Sequence, residues 1–410
     1  MAVNEPHSSA AIVTVGSELV SGLNLDTNTR EIALALTAHD YSVVETTSVA
    51  DDIDVLASTL ARLCAAHAMV VVTGGLGPTH DDITREAAAR ALGVGFSRSP
   101  ELVKLLEPWV LRHTEPDAAS QIFRQADVLD GARVITAVKG TAPGQMIPTP
   151  RGMLVLLPGP PSEMRPMLDV LTEGRSRSAE RRVLRCTRIS ESDAQVKASR
   201  VVDQYSGITL GVLASPSDVR IVLTDSGAGS TALANVADLT ADEIGRACYS
   251  RDGSSLAAVV LGRADRTGMS IGTAESCTGG AISAEITSIP GSSVSFTGSV
   301  ITYSNEMKTR LLGVSDETLK SWGAVSEQTA RAMAQGARDR LGCDIALAVT
   351  GIAGPGGGTS DKPVGTVWFG IATPHDVRTE LVHIRGDRDL VRRRATMIGL
   401  DLLRQALGGY

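Results

Sequence analysis

The sequence predicts an α/β protein in three blocks: a doubly wound N-terminal domain (residues 1–172), a small KH-like α+β middle domain (173–251) and a second α/β domain (252–410). Three observations carry that reading. Apolar runs of strand length alternate with helical patterns in both outer blocks, which implies βαβ units around mostly parallel sheets. In each outer block a buried strand ends in Thr-Gly and runs into a glycine-rich loop. Between them lies a short segment with the order β-α-β-β-α. The length agrees: 410 residues at roughly 150 per domain gives two to three domains.

In the first block Ala11–Val15, Val43–Thr47, Met69–Thr73 and Met153–Leu157 read as strands, and Asn28–Ala38, Val55–Ala65 and Asp82–Leu92 as helices. The fourth strand is stopped by Pro158-Gly-Pro-Pro161. Residues 173–182 are rich in Arg and Ser with no aromatic among the charges, so they read as a solvated linker and not a nucleic-acid arm. In the middle block a strand at Val183–Ile189 precedes a helix opened by Ser190 and Asp193, a loose capping box. The hairpin Ile208–Ala214 with Val219–Thr224 and the helix Thr231–Ala247 complete a KH-type or ferredoxin-like unit. The GxxG loop that a nucleic-acid-binding KH domain needs between helices is missing, so a spacer is expected. The third block offers a helix at Ser255–Arg266 with Gly268 as C-cap. Strands follow at Met269–Thr273, Val294–Tyr303, Ile345–Thr350, Thr366–Thr373 and Arg378–Ile384, and a closing helix runs from near Asp387 to Leu407.

Composition narrows the function. Residues are 43% hydrophobic but only 3% aromatic, so the core must be Ala, Val, Leu and Ile. A formal charge of −7 gives no polyelectrolyte attraction to nucleic acid or to an acidic membrane. Any anion site must therefore be local. Arginines number 33 against six lysines, which makes each Lys worth inspection. The N-terminus lacks a basic and apolar leader, and no apolar run approaches the ~18 residues of a membrane helix. Five cysteines (64, 186, 248, 277, 343) never fall in a CxxC spacing, which argues against a disulfide framework or structural zinc and for a reducing cytoplasm.

The two glycine loops, Thr73-Gly74-Gly75-Leu-Gly77-Pro and Thr350-Gly351-Ile-Ala-Gly354-Pro-Gly356-Gly357-Gly358, follow strand ends, where open α/β sheets bind ligands. Glycine lets backbone N–H groups converge on an anion. Neither loop is a Walker A or a dinucleotide GxGxxG motif, and a tight strand-to-helix turn is the plain alternative. Two such loops point to phosphate sites in two domains. After the first come Thr79, His80, Asp81 and Asp82; adjacent carboxylates suit a divalent cation bridging protein and phosphate oxygens. Equally, they suit the N-terminus of the following helix. Gly16-Ser-Glu-Leu and Asp26-Thr-Asn28 also follow a strand and belong at the same sheet edge.

In the third block Ser270 matches GxSxG but has a helix end before it and a strand after it, the reverse of a nucleophile elbow, so it reads as an ordinary strand residue. Thr273-Ala-Glu-Ser276-Cys277-Thr278-Gly279-Gly280 has the strand-turn-helix setting instead, with helix N–H groups able to hold an oxyanion. Ser276, Cys277 and Thr278 are all possible nucleophiles. None of the seven His lies near a motif in this block, but Tyr303-Ser-Asn305-Glu-Met-Lys308 follows another strand. A desolvated lysine serves as general base near neutral pH, so Ser276 and Lys308 form a candidate dyad; the plain alternative puts Lys308 on a helix surface.

Taken together, Gly16-Ser-Glu-Leu, Asp26-Thr-Asn, Thr73 to Glu86, Gly140-Thr-Ala-Pro-Gly and Leu157-Pro-Gly-Pro-Pro-Ser-Glu-Met resemble the molybdopterin-binding-like domain of the CinA family of competence/damage-inducible proteins. The resemblance implies a pyrophosphatase for ADP-ribose or NAD-like dinucleotides, using Mg, Mn or Co. It carries Asp81 and Asp82 over as metal or water-positioning residues, and Gly74, Gly75, Gly77 and Thr79 as the phosphate loop, with Asn28 beside it. Ala137 departs from the family's Asn three residues before Gly140, and Ser17 replaces a Thr. Ala274-Glu-Ser-Cys-Thr-Gly-Gly, Thr302-Tyr-Ser-Asn-Glu-Met-Lys, Gly323-Ala-Val-Ser, the Thr350 loop and Lys362-Pro-Val-Gly-Thr-Val resemble the nicotinamide mononucleotide amidohydrolase domain of the same family. That implies Ser276 and Lys308 as catalytic pair with Tyr303 and Thr278, and no cofactor. Backbone around Thr278, Gly279 and Gly280 is expected to hold the oxyanion. Asn305, Thr350, Gly351, Gly354, Gly356, Gly357 and Arg392 or Arg393 are expected to hold the nucleotide. A cytoplasmic homodimer acting on small nucleotides, with no nucleic-acid or membrane partner, is the expected setting. Two rival readings are one catalytic domain with a nucleotide- or pterin-sensing partner, and a non-enzymatic adaptor in DNA uptake or repair.

Overall fold

Strands covered on both faces have no solvent side to alternate toward, so they appear as unbroken apolar runs. In the computed structural model such runs form the inner strands of two sheets; it describes residues 8–39, 41–111, 121–137, 139–172, 180–215 and 217–408. The chain divides into two compact units, residues 1–180 and 181–410.

The N-terminal unit contains β1 (Ser8–Val15), α1 (Asn28–Thr37), β2 (Tyr41–Val49), α2 (Ile53–Ala66), β3 (Met69–Thr73), α3 (Thr84–Leu92), β4 (Phe96–Arg98), α4 (Pro100–Val110), β5 (Asp127–Leu129), β6 (Arg133–Ile135), β7 (Gly144–Pro148), β8 (Met153–Leu157) and α5 (Pro161–Met164). Its main sheet has the order β2-β1-β3-β8-β7-β6. Parallel pairing joins the first four strands, and β7 and β6 close the edge as an antiparallel meander. Alternate residues of each strand enter different cores: Ala11, Val13, Val70 and Val72 meet Leu56, Leu60 and Leu63 of α2 and Ala87 and Ala88 of α3. Ala10, Ile12, Met69 and Val71 meet Ile32 and Leu36 of α1 with Met164 and Met167. Helices on both faces make the sheet doubly wound. The carboxyl ends of β1 and β3 then lie side by side, where Asn28 and Gly74 meet. Helix α3 begins at Thr84 and not at Asp82, whose carboxylate is engaged in the loop before it. The β4–β5 ribbon has no counterpart in the sequence reading.

The second unit opens with β9 (Arg181–Cys186), α6 (Glu191–Val202), β10 (Ile208–Ser215), β11 (Asp218–Asp225), α7 (Ser230–Ile244) and β12 (Cys248–Ser250), an antiparallel sheet in the order β10-β11-β9-β12. Three expectations change here. Arg181 and Arg182 are strand residues paired with Thr224 and Leu223, so the linker is shorter than expected; residues 173–179 lie outside the described residues. Strand β9 stops at Cys186, two residues before Arg188 turns left-handed (φ 56°). A fourth strand, β12, pairs with β9. Ser190 does cap α6, accepting the Asp193 N–H at 3.0 Å.

Then come α8 (Leu256–Thr267), β13 (Ile271–Glu275), α9 (Ala281–Thr287), β14 (Phe296–Ile301), α10 (Asn305–Leu312), α11 (Asp316–Trp322), α12 (Glu327–Leu341), β15 (Ile345–Gly351), β16 (Thr366–Ala372), β17 (Val377–His383) and α13 (Arg388–Ala406). The sheet order is β14-β13-β15-β16-β17, parallel for the first three strands and antiparallel for the last two. Ile345, Leu347 and Val349 face α8 and α13, and Ala346 and Ala348 face α12. Strand β14 is shorter than expected at both ends, which leaves Tyr303 beyond it. Ser270 lies before β13 and not in it; its hydroxyl and N–H both donate to Asp344 Oδ2 at 2.8 Å. Among the described residues no helix is long and apolar enough to cross a membrane.

The middle domain is tied to the C-terminal domain by buried ion pairs. Arg188 ion-pairs with Glu380 (2.8 Å) and with buried Asp401 on α13 (3.0 Å), and Arg404 holds the other Asp401 oxygen at 2.7 Å while donating to the Arg246 carbonyl at 3.0 Å. A buried carboxylate flanked by two guanidiniums is costly to disrupt from one side. Asp401→Asn is expected to lower the unfolding free energy of the second unit by about 3 kcal/mol in urea titration. A loss below about 1 kcal/mol would show that the network does not anchor the middle domain.

Candidate active site

Strand β13 delivers Glu275 into the interior, fully buried at 0% exposure. Its carboxylate accepts the Thr278 hydroxyl (2.7 Å) and the N–H groups of Gly280 (2.9 Å), Ile282 (3.2 Å) and Ser283 (2.8 Å). This one side chain thereby folds the Ser276–Gly280 turn and caps α9. The turn needs left-handed backbone at Gly279 (φ 61°) and Gly280 (φ 95°), which glycine adopts without a Cβ penalty. Ser276 is fixed by its N–H to the Val349 carbonyl of β15 at 3.0 Å.

Lys308 comes from α10, whose N-cap Ser304 accepts the Met307 N–H at 3.2 Å. One helical turn in, Lys308 points into the domain with 1% exposure, not onto the helix surface. Its Nζ lies 3.1 Å from Ser276 Oγ and donates to the Thr302 carbonyl at 2.8 Å. Burial disfavours the ammonium and holds the group down from 10.5 to about 8. Burial pushes the neighbouring Cys277 thiol up to about 12, which removes it as a thiolate nucleophile near neutral pH.

Several expected roles shift. The Thr278 hydroxyl is committed to Glu275, so Thr278 positions the turn. The Gly280 N–H goes to Glu275 and the Gly279 N–H to the Ser276 carbonyl at 3.1 Å, so neither is free for an oxyanion. Tyr303 is 62% exposed, and its hydroxyl accepts from Arg388 at 2.9 Å. Arg388, which the sequence reading missed, also donates to the Gly354 carbonyl at 2.7 Å and so joins the tyrosine to the glycine loop. Its signal was its place one turn before Arg392 on α13. Buried Thr350 donates to the Ala324 carbonyl at 2.7 Å, and Gly351 packs where a Cβ would lie 2.9 Å from the Thr366 carbonyl. Gly354 and Gly357 both have φ 86°, whereas Gly356 is exposed in open space, as is Asn305 at the start of α10. Arg392 donates to the Thr278 carbonyl at 3.0 Å, bracing the turn from α13; Arg393, next to it, is exposed.

In the N-terminal unit, Asn28 Nδ2 donates to Thr73 Oγ1 (3.0 Å) and the Gly159 carbonyl (2.7 Å), while its Oδ1 is buried without a partner. These residues line a cleft of about 290 Å3 together with Gly74 and Asp26. The loop glycines are explained by the loop's own packing: a Cβ would collide with the Val15 carbonyl at Gly74, with Thr84 Oγ1 at Gly75 and with Asp82 at Gly77. Asp82 accepts from the Gly77 N–H (2.7 Å), the Thr79 N–H (2.7 Å) and the Thr79 hydroxyl (2.6 Å), so both it and Thr79 shape the loop. Buried Arg85 donates to the carbonyls of Leu76 and Gly77, a second brace that the sequence did not advertise. Asp81 is exposed and paired with His80 at 3.0 Å. Among the described residues no group of three or more His, Cys, Asp or Glu is gathered to hold a metal ion.

Residues 253–407 match the family described as CinA C-terminal domain, and residues 11–177 the one described as "Probable molybdopterin binding domain". A CinA-like protein of Acidobacterium capsulatum is 36% identical over 97% of this chain and 99% of its own length. The chain belongs to the CinA family. A CinA-like protein of Thermotoga maritima is 34% identical over 98% of both chains. Among solved structures, the competence/damage inducible protein CihA from Agrobacterium tumefaciens is 41% identical, covering 37% of this chain and 93% of that one with a TM-score of 0.36. This CinA-family chain therefore pairs a molybdopterin-binding-like N-terminal domain with a CinA C-terminal domain.

The depressed lysine has a stability consequence. Between pH about 8 and 10.5 the unfolded chain binds a proton that the folded chain does not, so stability rises with pH across that window. Below it the penalty is full. Lys308→Met is expected to stabilise the second unit by about 2 kcal/mol at pH 7, an advantage that shrinks toward pH 10. Thermal melts at both pH values check this; a destabilised variant at pH 7 would contradict a costly buried amine.

Proposed function

We propose that the C-terminal domain hydrolyses the carboxamide of nicotinamide mononucleotide to the carboxylate and ammonia, with Ser276 as nucleophile and Lys308 as base. One observation carries this reading: a buried lysine amine, its proton affinity lowered by desolvation, 3.1 Å from a serine hydroxyl on a strand-to-helix turn. The neutral amine donates to the Thr302 carbonyl and accepts the Ser276 proton as Oγ attacks the carboxamide carbon. The N–H groups of Cys277 and Thr278, which face the Cys277 sulfur and not a backbone or carboxylate oxygen, are the turn's remaining backbone donors for the oxyanion. Collapse of the tetrahedral adduct expels ammonia, which takes the proton from the Lys308 ammonium. Water, deprotonated by Lys308, then opens the acyl-serine and returns the proton to Oγ. Arg388, Tyr303 and the Gly354 loop form the arm that meets the nucleotide.

For the N-terminal unit we propose a dinucleotide pyrophosphate such as ADP-ribose in the cleft beside Asn28, whose unpartnered Oδ1 awaits a donor from a ligand. A divalent ion there would have to draw its remaining ligands from the substrate, and no step is assigned to it.

Ammonia release from nicotinamide mononucleotide tests the first reading. Turnover is expected to rise about tenfold per pH unit below the Lys308 value of about 8 and to level off above it. Lys308→Ala should cost about 10²–10⁴-fold while the fold persists; unchanged release would remove the dyad. For the N-terminal unit, AMP release from ADP-ribose with and without chelator is the matching assay. Binding without cleavage would leave that unit as a sensor.

A further inference from the structure

A second cavity, of about 690 Å3, lies between the middle and C-terminal domains, beside the Ser276 turn but lined by none of residues 276–280. Its walls come from Arg185 of β9, from the end of β10 and the start of β11, from α9 and from α13. Arg220, Arg392 and Arg393 all line it, and among the described residues none of them is in an ion pair. The fourth arginine of the wall is spoken for: Arg185 pairs with Asp218 at 2.7 Å and sits 5.6 Å from the centre of the Tyr249 ring. Two carboxylates of the wall, Glu285 and Asp389, carry no ion pair among the described residues, so unpaired cations outnumber them.

Two polar atoms of the same wall are buried without a hydrogen-bond partner among the described residues: Arg220 Nε and Ser217 Oγ. A buried donor left unpaired carries its full desolvation cost, and such groups in folded chains call for a ligand, a water or an ion. Guanidinium forks with a hydroxyl beside them match the oxygens of a phosphate group. Moreover, Arg392 reaches out of this cavity to the Thr278 carbonyl at 3.0 Å, so one side chain touches both the cavity and the turn that carries Ser276.

We propose that this cavity binds a phosphate monoester through Arg220, Arg393 and Ser217, and that Arg392 ties its occupancy to the Ser276 turn. The middle domain thereby contributes half of a ligand site. The phosphate belongs either to the nucleotide whose amide is cleaved, which rests on the amidohydrolase reading, or to a separate phosphorylated metabolite, which does not.

Calorimetric titration of the full chain with ribose 5-phosphate tests the site without any turnover. Saturable binding is expected, weakened about tenfold or more by Arg220→Gln and by Arg393→Gln, as for loss of a charge-assisted hydrogen bond. Arg90→Gln, at an exposed ion pair in the other unit, should leave it unchanged. Ser217→Ala gives the same reading should Arg220→Gln fail to fold. No binding, or binding indifferent to all three cavity substitutions, overturns the proposal. The two sources separate in an ammonia assay with added ribose 5-phosphate. A raised KM at constant kcat assigns the cavity to the substrate's own phosphate, and an altered kcat assigns it to a second ligand. Intact binding without ammonia release from nicotinamide mononucleotide would defeat the amidohydrolase reading and leave the cavity standing.

Discussion

The C-terminal site depends on a carboxylate that does no chemistry. Glu275 is buried, and a lone charge there would be prohibitive. Four donors from the next eight residues make it tolerable, and in meeting that demand they fold the turn, seat α9 and fix Ser276 at the sheet edge. Lys308 is tolerated in the opposite manner. It has no carboxylate partner among the described residues, so the interior depresses its proton affinity. One buried ionisable group is stabilised as an ion and shapes the backbone; the other is destabilised as an ion and becomes reactive. The same low-polarity interior produces both results, and which one prevails is set by the number of N–H groups within reach.

The fold was legible where periodicity is strong. The four-strand and three-strand parallel cores, the middle hairpin and the long closing helix follow from apolar runs and caps such as Ser190 and Gly268. Boundaries moved where a side chain outside the pattern intervened: Asp82 delays α3 by holding the loop, and left-handed Arg188 lies just past the shortened β9. The Ser276–Lys308 pair was legible as a motif because residue type and strand-end position agree. Arg388 was not, since its importance lies in reaching across to Tyr303 and Gly354, a tertiary fact with no local signature. Thr278 illustrates the converse. A hydroxyl two residues from Ser276 looks catalytic in one dimension, but its partner Glu275 sits behind it.

The N-terminal loop carries a related lesson about glycine. From the sequence, Gly74, Gly75 and Gly77 look like clearance for a phosphate. In three dimensions each is required by a neighbour from the protein itself: a strand carbonyl, a threonine hydroxyl and an aspartate. Gly140 is similar, lying where a side chain would overlap the Glu163 carboxyl group, whose proton affinity burial raises. A glycine-rich loop can thus be tight for reasons of its own, whereas the Asn28 oxygen is left without a partner among the described residues.

The Arg188–Asp401–Arg404 cluster bears on how such a chain can be reshuffled over time. An acid on the last helix is neutralised partly by a base from a preceding module, and a second base on that helix leans on a backbone oxygen at position 246. A gene that inherited only the final segment would lose the Arg188 guanidinium but keep Arg404 and Gln405 against the same acid. The closing helix thus carries its own counter-charge, and the preceding module adds a second.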